Sequence, residues 1–219
     1  MDASPQYLIT IDGPAGAGKT TVSKMLAEKL NYRYLDTGAL YRGVAYMAQK
    51  RQIAPQDDRE LSTLCESLCF SFEGNRLFVN SVDISDRIRT PEISLLASAV
   101  SARPQVRKAL LDIQRDIGHT GGLVAEGRDM GTVVFPDADL KFFLDATVEE
   151  RAMRRFLQYG QANRQTLAQI EADIRRRDEN DSRRDIAPLK PADDAICLDS
   201  STLTAEAVVA LTAFKHNST

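Results

Sequence analysis

A chain of 219 residues, 43% apolar and 27% charged, is long enough to bury one large domain, or a main domain with a smaller insert. Its net charge of −3, from 28 basic and 31 acidic residues, argues against a nucleic-acid binder that works by general electrostatic attraction. A small anionic substrate is not excluded, because it needs only a few arginines in one place. Cys65, Cys69 and Cys197 form no disulfide framework, and with two histidines they offer no usual zinc site, so a reducing compartment is expected. Asp2 and Pro5 do not fit a secretory signal, and no stretch approaches the roughly 20 apolar residues that cross a bilayer.

In chain order, Tyr7 to Ile11 is a β-prone run that leads straight into the glycine-rich segment Gly13 to Thr20. Val22, Met25, Leu26 and Leu30 then recur at helical spacing. Tyr34 and Leu35 end a short strand, and Asp36 and Thr37 are placed to cap a helix whose face holds Leu40, Val44 and Met47, with a break by Pro55. Leu61, Leu64, Cys65 and Leu68 predict another helix. Phe70 to Val79 reads as two strands about a Gly74-Asn75 turn, with Val82 to Ile84 as a third, so residues 70–84 are expected to form a small β insert.

Helical pattern resumes at Pro91, breaks at Pro104 and runs to Gly118. Gly121 to Ala125 and Leu140 to Leu144 read as continuous apolar strands, the kind covered on both faces. A basic helix is predicted from Glu149 to Tyr159 with Gly160 ending it, then a long charged helix over about Gln165 to Asn180. Ala195 to Leu198 is the last strand, and Thr204 caps the last helix. The order predicts an α/β fold with a mainly parallel sheet, interrupted once.

The segment Gly13-Pro14-Ala15-Gly16-Ala17-Gly18-Lys19-Thr20 fits the phosphate-loop pattern in full. Glycines let successive amides wrap phosphate oxygens, and the following helix aims its N-terminus at the same charge. Lys19 is the side chain for the β- and γ-phosphates, and the Thr20 hydroxyl is a Mg2+ ligand, mostly shared with phosphates and water. With Thr21, these residues form the expected nucleoside triphosphate site. The acceptor is not named by this loop. Arg42, Arg107, Arg177, Arg183 and Arg184 are candidates, and Arg128 stands out because Gly127-Arg128-Asp129 lies beyond the carboxyl end of a core strand.

The chain resembles the bacterial cytidylate kinases. The resemblance rests on Ile9 to Thr20, Leu35 to Arg42, Ile88 to Thr90, Glu126 to Pro136 and Ile186 to Leu189, in family order over essentially the whole chain. The phosphate loop alone is shared with shikimate, adenylate and dephospho-coenzyme A kinases, whereas the Gly127 to Pro136 block is far more selective. The resemblance implies the P-loop nucleoside monophosphate kinase fold. It places a core over 1–36 and 120–219, a monophosphate-binding region over 37–119 that includes the insert, and a lid at about 151–165. It implies transfer of the γ-phosphoryl of ATP to CMP and dCMP with Mg2+, by a cytoplasmic monomer that needs neither nucleic acid nor membrane.

Carried over residue by residue, the resemblance places cytosine contacts on Ser98, Arg107 and Asp129. It places α-phosphate contacts on Arg42, Arg128 and Arg184, and ribose contacts on Arg177 and Asp181, with Asp36, Thr37 and Tyr41 lining the same pocket. Ser98 has an alternative as an ordinary helix serine, and Asp129 as a helix cap. Glu126 stands where some relatives carry Asp, and either could orient Mg2+ water. Arg151, Arg154 and Arg155 begin the lid; Arg154 and Arg155 are taken with Lys19 and Arg128 as the catalytic cations, against the alternative of a solvated basic face. The rival functions are a P-loop kinase for shikimate or another nucleotide, and a regulatory NTP-binding switch.

Overall fold

The computed structural model describes residues 6–159 and 165–216, which fall into two compact units, Met1–Leu35 with Thr120–Thr219, and Asp36–His119. We call them the P-loop unit and the inserted unit. The P-loop unit is built on a five-stranded sheet of β1 (Leu8–Asp12), β2 (Arg33–Asp36), β6 (Leu123–Gly127), β7 (Leu140–Asp145) and β8 (Ile196–Asp199), in the order β2-β6-β1-β7-β8. β1 pairs in parallel with both β6 and β7, and β7 pairs in parallel with β8.

This order follows from the pattern of burial. β1 and β6 are buried along nearly their whole length, as interior strands of a sheet covered on both faces must be. Helix α1 (Lys19–Leu30) and the last helix of the chain, Ala205–His216, supply Val22, Leu26, Val208 and Val209 to one cluster with Ile9, Ile11, Phe142 and Leu144. Because β1 is central, its carboxyl end at Asp12 delivers the chain into the Gly13–Thr20 turn at the ligand edge of the sheet.

The inserted unit packs α2 (Thr37–Lys50), α3 (Asp58–Glu66), α4 (Pro91–Ser101) and α5 (Pro104–Gly118) around a core of Leu40, Val44, Leu61, Leu64, Val100 and Leu110. Its antiparallel sheet, in the order β3 (Phe70–Glu73), β4 (Arg76–Val79) and β5 (Val82–Asp83), places Leu77 and Val79 against the same core. Local chemistry sets the helix starts. The Asp36 side chain accepts the Ala39 N–H, the Thr90 side chain accepts the Ile93 N–H, and prolines at 91 and 104 occupy first-turn positions where no N–H is needed.

The P-loop unit is completed by α6 (Val148–Tyr159), α7 (Leu167–Ser182) and α8 (Ala205–His216), with α7 opened by a Thr166–Gln169 capping box. Some boundaries and one element differ from expectation. The third helix stops at Glu66 rather than reaching Leu68. The strand expected at Gly121 begins at Leu123, because Gly121 and Gly122 both take positive φ in a turn. Met130–Val134 forms one π-helical turn that no sequence pattern announced. Gly160 as a helix end, and the part of the expected lid at 160–164, lie outside the described residues.

Candidate active site

The phosphate loop leaves β1 at Gly13 and enters α1 at Lys19. Gly13 has φ of 146°, and a Cβ there would fall on the Leu144 carbonyl, so only glycine fits beside β7. Gly18, at φ 93°, is the N-cap of α1 and makes no side-chain cap, which leaves the first amides of the helix to a ligand. The loop itself is held from outside. The buried Arg151 donates to the Ala15 carbonyl at 3.1 Å and pairs with Asp178, whose other oxygen accepts the Ala15 N–H at 3.4 Å. The solvated-face alternative therefore does not hold for Arg151, which ties α6 and α7 to the loop.

Lys19 is buried and donates to the Pro14 carbonyl at 2.6 Å. Burial pushes its pKa well below the ordinary lysine value, with Arg128 and Arg177 lowering it further and Glu126 and Asp12 opposing them. An ammonium in this position gains strongly from an arriving phosphate. Next to it, the Thr20 hydroxyl donates to Glu126 Oε1 at 2.7 Å, and the Tyr34 hydroxyl donates to the same oxygen. Arg154 donates from Nη1 to the Ser200 hydroxyl at 3.0 Å and from Nη2 to the Ser200 carbonyl, and Nη1 lies 3.8 Å from where a Cβ on Gly18 would be. Arg155 is half-buried on the same helix.

A second constellation surrounds Asp181, which is 1% exposed near the end of α7. It accepts from Arg128 Nε at 2.9 Å and from Arg184 Nη2, and Arg177 Nε lies 4.0 Å away. Burial alone would raise the Asp181 pKa, but Arg128, Arg184 and Arg177 outweigh it and hold the carboxyl below its usual range. Three guanidiniums gathered around one buried carboxylate are donors of the kind that bind a phosphate.

Asp129 follows Arg128 and stands at the N-cap position of the π-helical turn, yet its side chain makes no cap bond. The cap comes from Asp12: Oδ1 accepts the Met130 N–H at 2.9 Å and Oδ2 accepts the Gly131 N–H at 2.8 Å. The helix-cap alternative for Asp129 does not hold.

In the inserted unit the expected residues form their own group. Asp36 caps α2 and pairs with Arg42 at 2.7 Å. Thr37 is buried at the start of that helix. Arg107 Cζ lies 5.6 Å from the centre of the Tyr41 ring and Arg107 Nη1 donates to the Ser101 carbonyl at 3.2 Å. The Ser101 hydroxyl in turn donates to the carbonyl of Ser98, a buried serine on α4. Asp12, Tyr34, Asp178 and Ser200 were not among the expected residues: Asp12 and Tyr34 lie in or beside a quoted block, and Asp178 and Ser200 carry no motif signal.

The model of the cytidylate kinase family matches residues 9–217, nearly the whole chain. The chain belongs to the cytidylate kinase family. Among cytidylate kinases it is similar to that of Geobacter sulfurreducens, at 49% identity over 207 residues, covering 92% of this chain and 89% of the relative. The cytidylate kinase of Enterococcus faecalis is 44% identical, covering 92% of each chain. A shikimate kinase structure from Bacteroides thetaiotaomicron superposes with a TM-score of 0.52 at 13% identity, over 97% of this chain and 99% of its own. That likeness bears on the fold alone, and the fold is that of the P-loop kinases.

Proposed function

We infer that this chain transfers the γ-phosphoryl group of ATP to CMP and dCMP, giving ADP with CDP or dCDP. The observation that carries the reading is membership of the cytidylate kinase family over residues 9–217, a span that includes the selective Gly127 to Pro136 block. A phosphate oxygen of CMP attacks the γ-phosphorus, and the bond to the β,γ-bridging oxygen breaks with its electron pair leaving on ADP. The acceptor oxygen is already anionic, so the protein's task is alignment and charge neutralisation rather than proton abstraction.

Within that reading, Gly13 to Thr21 bind ATP, and Lys19, Arg128, Arg154 and Arg155 neutralise the transferring group. Each unit carries its own CMP contacts. Arg128, Asp129, Arg177, Asp181 and Arg184 serve from the P-loop unit, and Asp36, Thr37, Tyr41, Arg42, Ser98 and Arg107 from the inserted unit. Residues 1–36 and 120–219 act as the core, 37–119 as the monophosphate-binding region, and about 151–165 as the lid. Thr20 Oγ1 and the Glu126 carboxylate, adjacent at 2.7 Å, are oxygen donors of the kind Mg2+ takes, and would hold it together with phosphates and water. Bound Mg2+ would spread the charge of the transferring phosphoryl group.

The mildly acidic chain is suited to free nucleotides rather than nucleic acid, and we propose a cytoplasmic monomer that works without a membrane partner. Among the described residues no helix is long and apolar enough to cross a membrane. The test is ADP production across CMP, dCMP, UMP, AMP, GMP and shikimate. CMP and dCMP are expected to lead. Preference for shikimate or a purine nucleotide, or ATP consumption indifferent to acceptor, contradicts the reading.

A further inference from the structure

Asp12 is the residue whose chemistry the phosphate-loop account leaves unused. It ends β1, is 4% exposed and directly precedes the phosphate loop. Both of its carboxylate oxygens are spent on backbone amides 118 and 119 residues away in sequence, those of Met130 and Gly131. These are first-turn amides of the π-helical turn, groups without intrahelical partners, and the Gly131 amide is one that an N-cap side chain ordinarily satisfies. The turn is unusual in its own bonding as well, since Val134 N–H reaches the Asp129 carbonyl and Phe135 N–H reaches the Met130 carbonyl, each across five residues. Gly131 is also close-set: a Cβ there would lie 3.1 Å from Thr10 Oγ1 and 3.2 Å from Lys141 Cδ. The segment is therefore fixed by one carboxylate on the central strand and by packing against β1 and β7.

We propose that Asp12 is a positioning residue for acceptor recognition: it caps the Met130–Val134 turn in place of Asp129, so that the Asp129 carboxylate is held for the cytosine edge. This rests on the reading of the chain as a CMP kinase. Asp129 sits where a helix-capping aspartate belongs, and a capping carboxylate turns toward the N–H groups two or three residues further along the chain. With the amides of Met130 and Gly131 already bonded to Asp12, the rotamer of Asp129 is decided by other partners, and the direction of its carboxylate becomes a property of the strand–turn junction. Burial, the largest influence, raises the Asp12 pKa to about 6 against the two amide bonds; Asp129 raises it further and Lys19 lowers it.

Asp12→Asn tests this, because it keeps the shape while turning one acceptor into a donor that faces an N–H. In the folded variant, the ratio of kcat/KM for CMP to that for UMP is expected to fall about tenfold, chiefly through KM for CMP, while KM for ATP stays within about twofold. Asp12→Ala, which loses both acceptors, should fall further, so that Asn counts as a partial rescue. An unchanged CMP/UMP ratio, or a loss confined to ATP, overturns the inference. A wild-type protein that makes no CDP removes the functional reading instead, which keeps the two failures apart. If neither variant folds, the amide protons of Met130 and Gly131 are followed by NMR in the wild type. They are expected to shift along one shared titration curve as Asp12 protonates, and amides that do not move together overturn the capping role.

Discussion

The two units hold their site residues by different means. In the P-loop unit Lys19, Arg128, Arg151, Asp178 and Asp181 are charged, mostly buried and tied to one another or to loop carbonyls. In the inserted unit Tyr41, Arg42, Ser98 and Arg107 stand on three helices that also fill an apolar core, of which Tyr41 is itself a member. The first arrangement fixes charge before substrate arrives, which is where a reaction that develops charge gains most. The second fixes side chains through helix packing, and so makes binding geometry depend on core volume. Damage to the charged groups of the P-loop unit should appear in turnover and acceptor efficiency, and packing damage in the inserted unit mainly in stability.

The sharpest contrast comes from Lys19→Ala. Its ammonium is buried against the Pro14 carbonyl and disfavoured by burial until phosphate arrives, so kcat should fall about 10²–10³-fold with little change in the thermal midpoint. Steady-state kinetics beside a melting curve checks both halves, and near wild-type turnover would break the comparison on its catalytic side.

Asp181→Ala should come next. It leaves Arg128 and Arg184 without the carboxylate they share, removing charged hydrogen bonds of about 1.5–3 kcal/mol, so kcat/KM for CMP should fall about 10–100-fold with ATP binding nearly intact. The same residue sets a pH dependence. Its folded pKa lies below the ordinary 3.8, so its stabilising contribution is fully present above about pH 4 and is lost as pH falls through the folded value. The variant should lose stability at neutral pH and show a flatter acid limb, which denaturation from about pH 2 to pH 7 reads directly.

Asp129→Ala is expected to have a smaller and more selective effect. CMP efficiency should drop by about 5–100-fold while UMP changes less, narrowing the ratio between them. Equal slowing of both acceptors would make Asp129 structural rather than base-reading. The smallest functional effect belongs to Gly43→Ala in α2. A Cβ there would lie 2.9 Å from Phe70 Cε1 inside the inserted unit, so overpacking of about 1–3 kcal/mol should lower the thermal midpoint while kcat at saturating CMP holds. A fall in kcat matching that of Lys19→Ala would erase the distinction between the units.

What the sequence made legible was local. The phosphate loop needs one strand, one turn and one helix start, all within residues 8 to 30, and its glycines are required by backbone angles that the pattern encodes. The β insert was readable from the alternating run at 70–79 and its Gly74 turn. Features set by distant partners were not. The Met130–Val134 turn depends on a carboxylate at Asp12, the pairing of Arg128 with Asp181 joins segments 53 residues apart, and Arg151, read as the start of a lid or as part of a solvated basic face, takes Ala15 and Asp178 as partners. Sheet order has the same origin: β1 lies between β6 and β7, strands that begin more than a hundred residues later.

The central claim is phosphoryl transfer to a cytidine monophosphate, and it is met most directly by following the γ-phosphate itself. ATP labelled in that group is incubated with the protein, Mg2+ and CMP, and the nucleotides are separated. The account predicts that the label appears in the β-phosphate of CDP, in step with ADP, and that almost none appears as inorganic phosphate. Label released mainly as inorganic phosphate, at a rate that CMP does not raise, would contradict it.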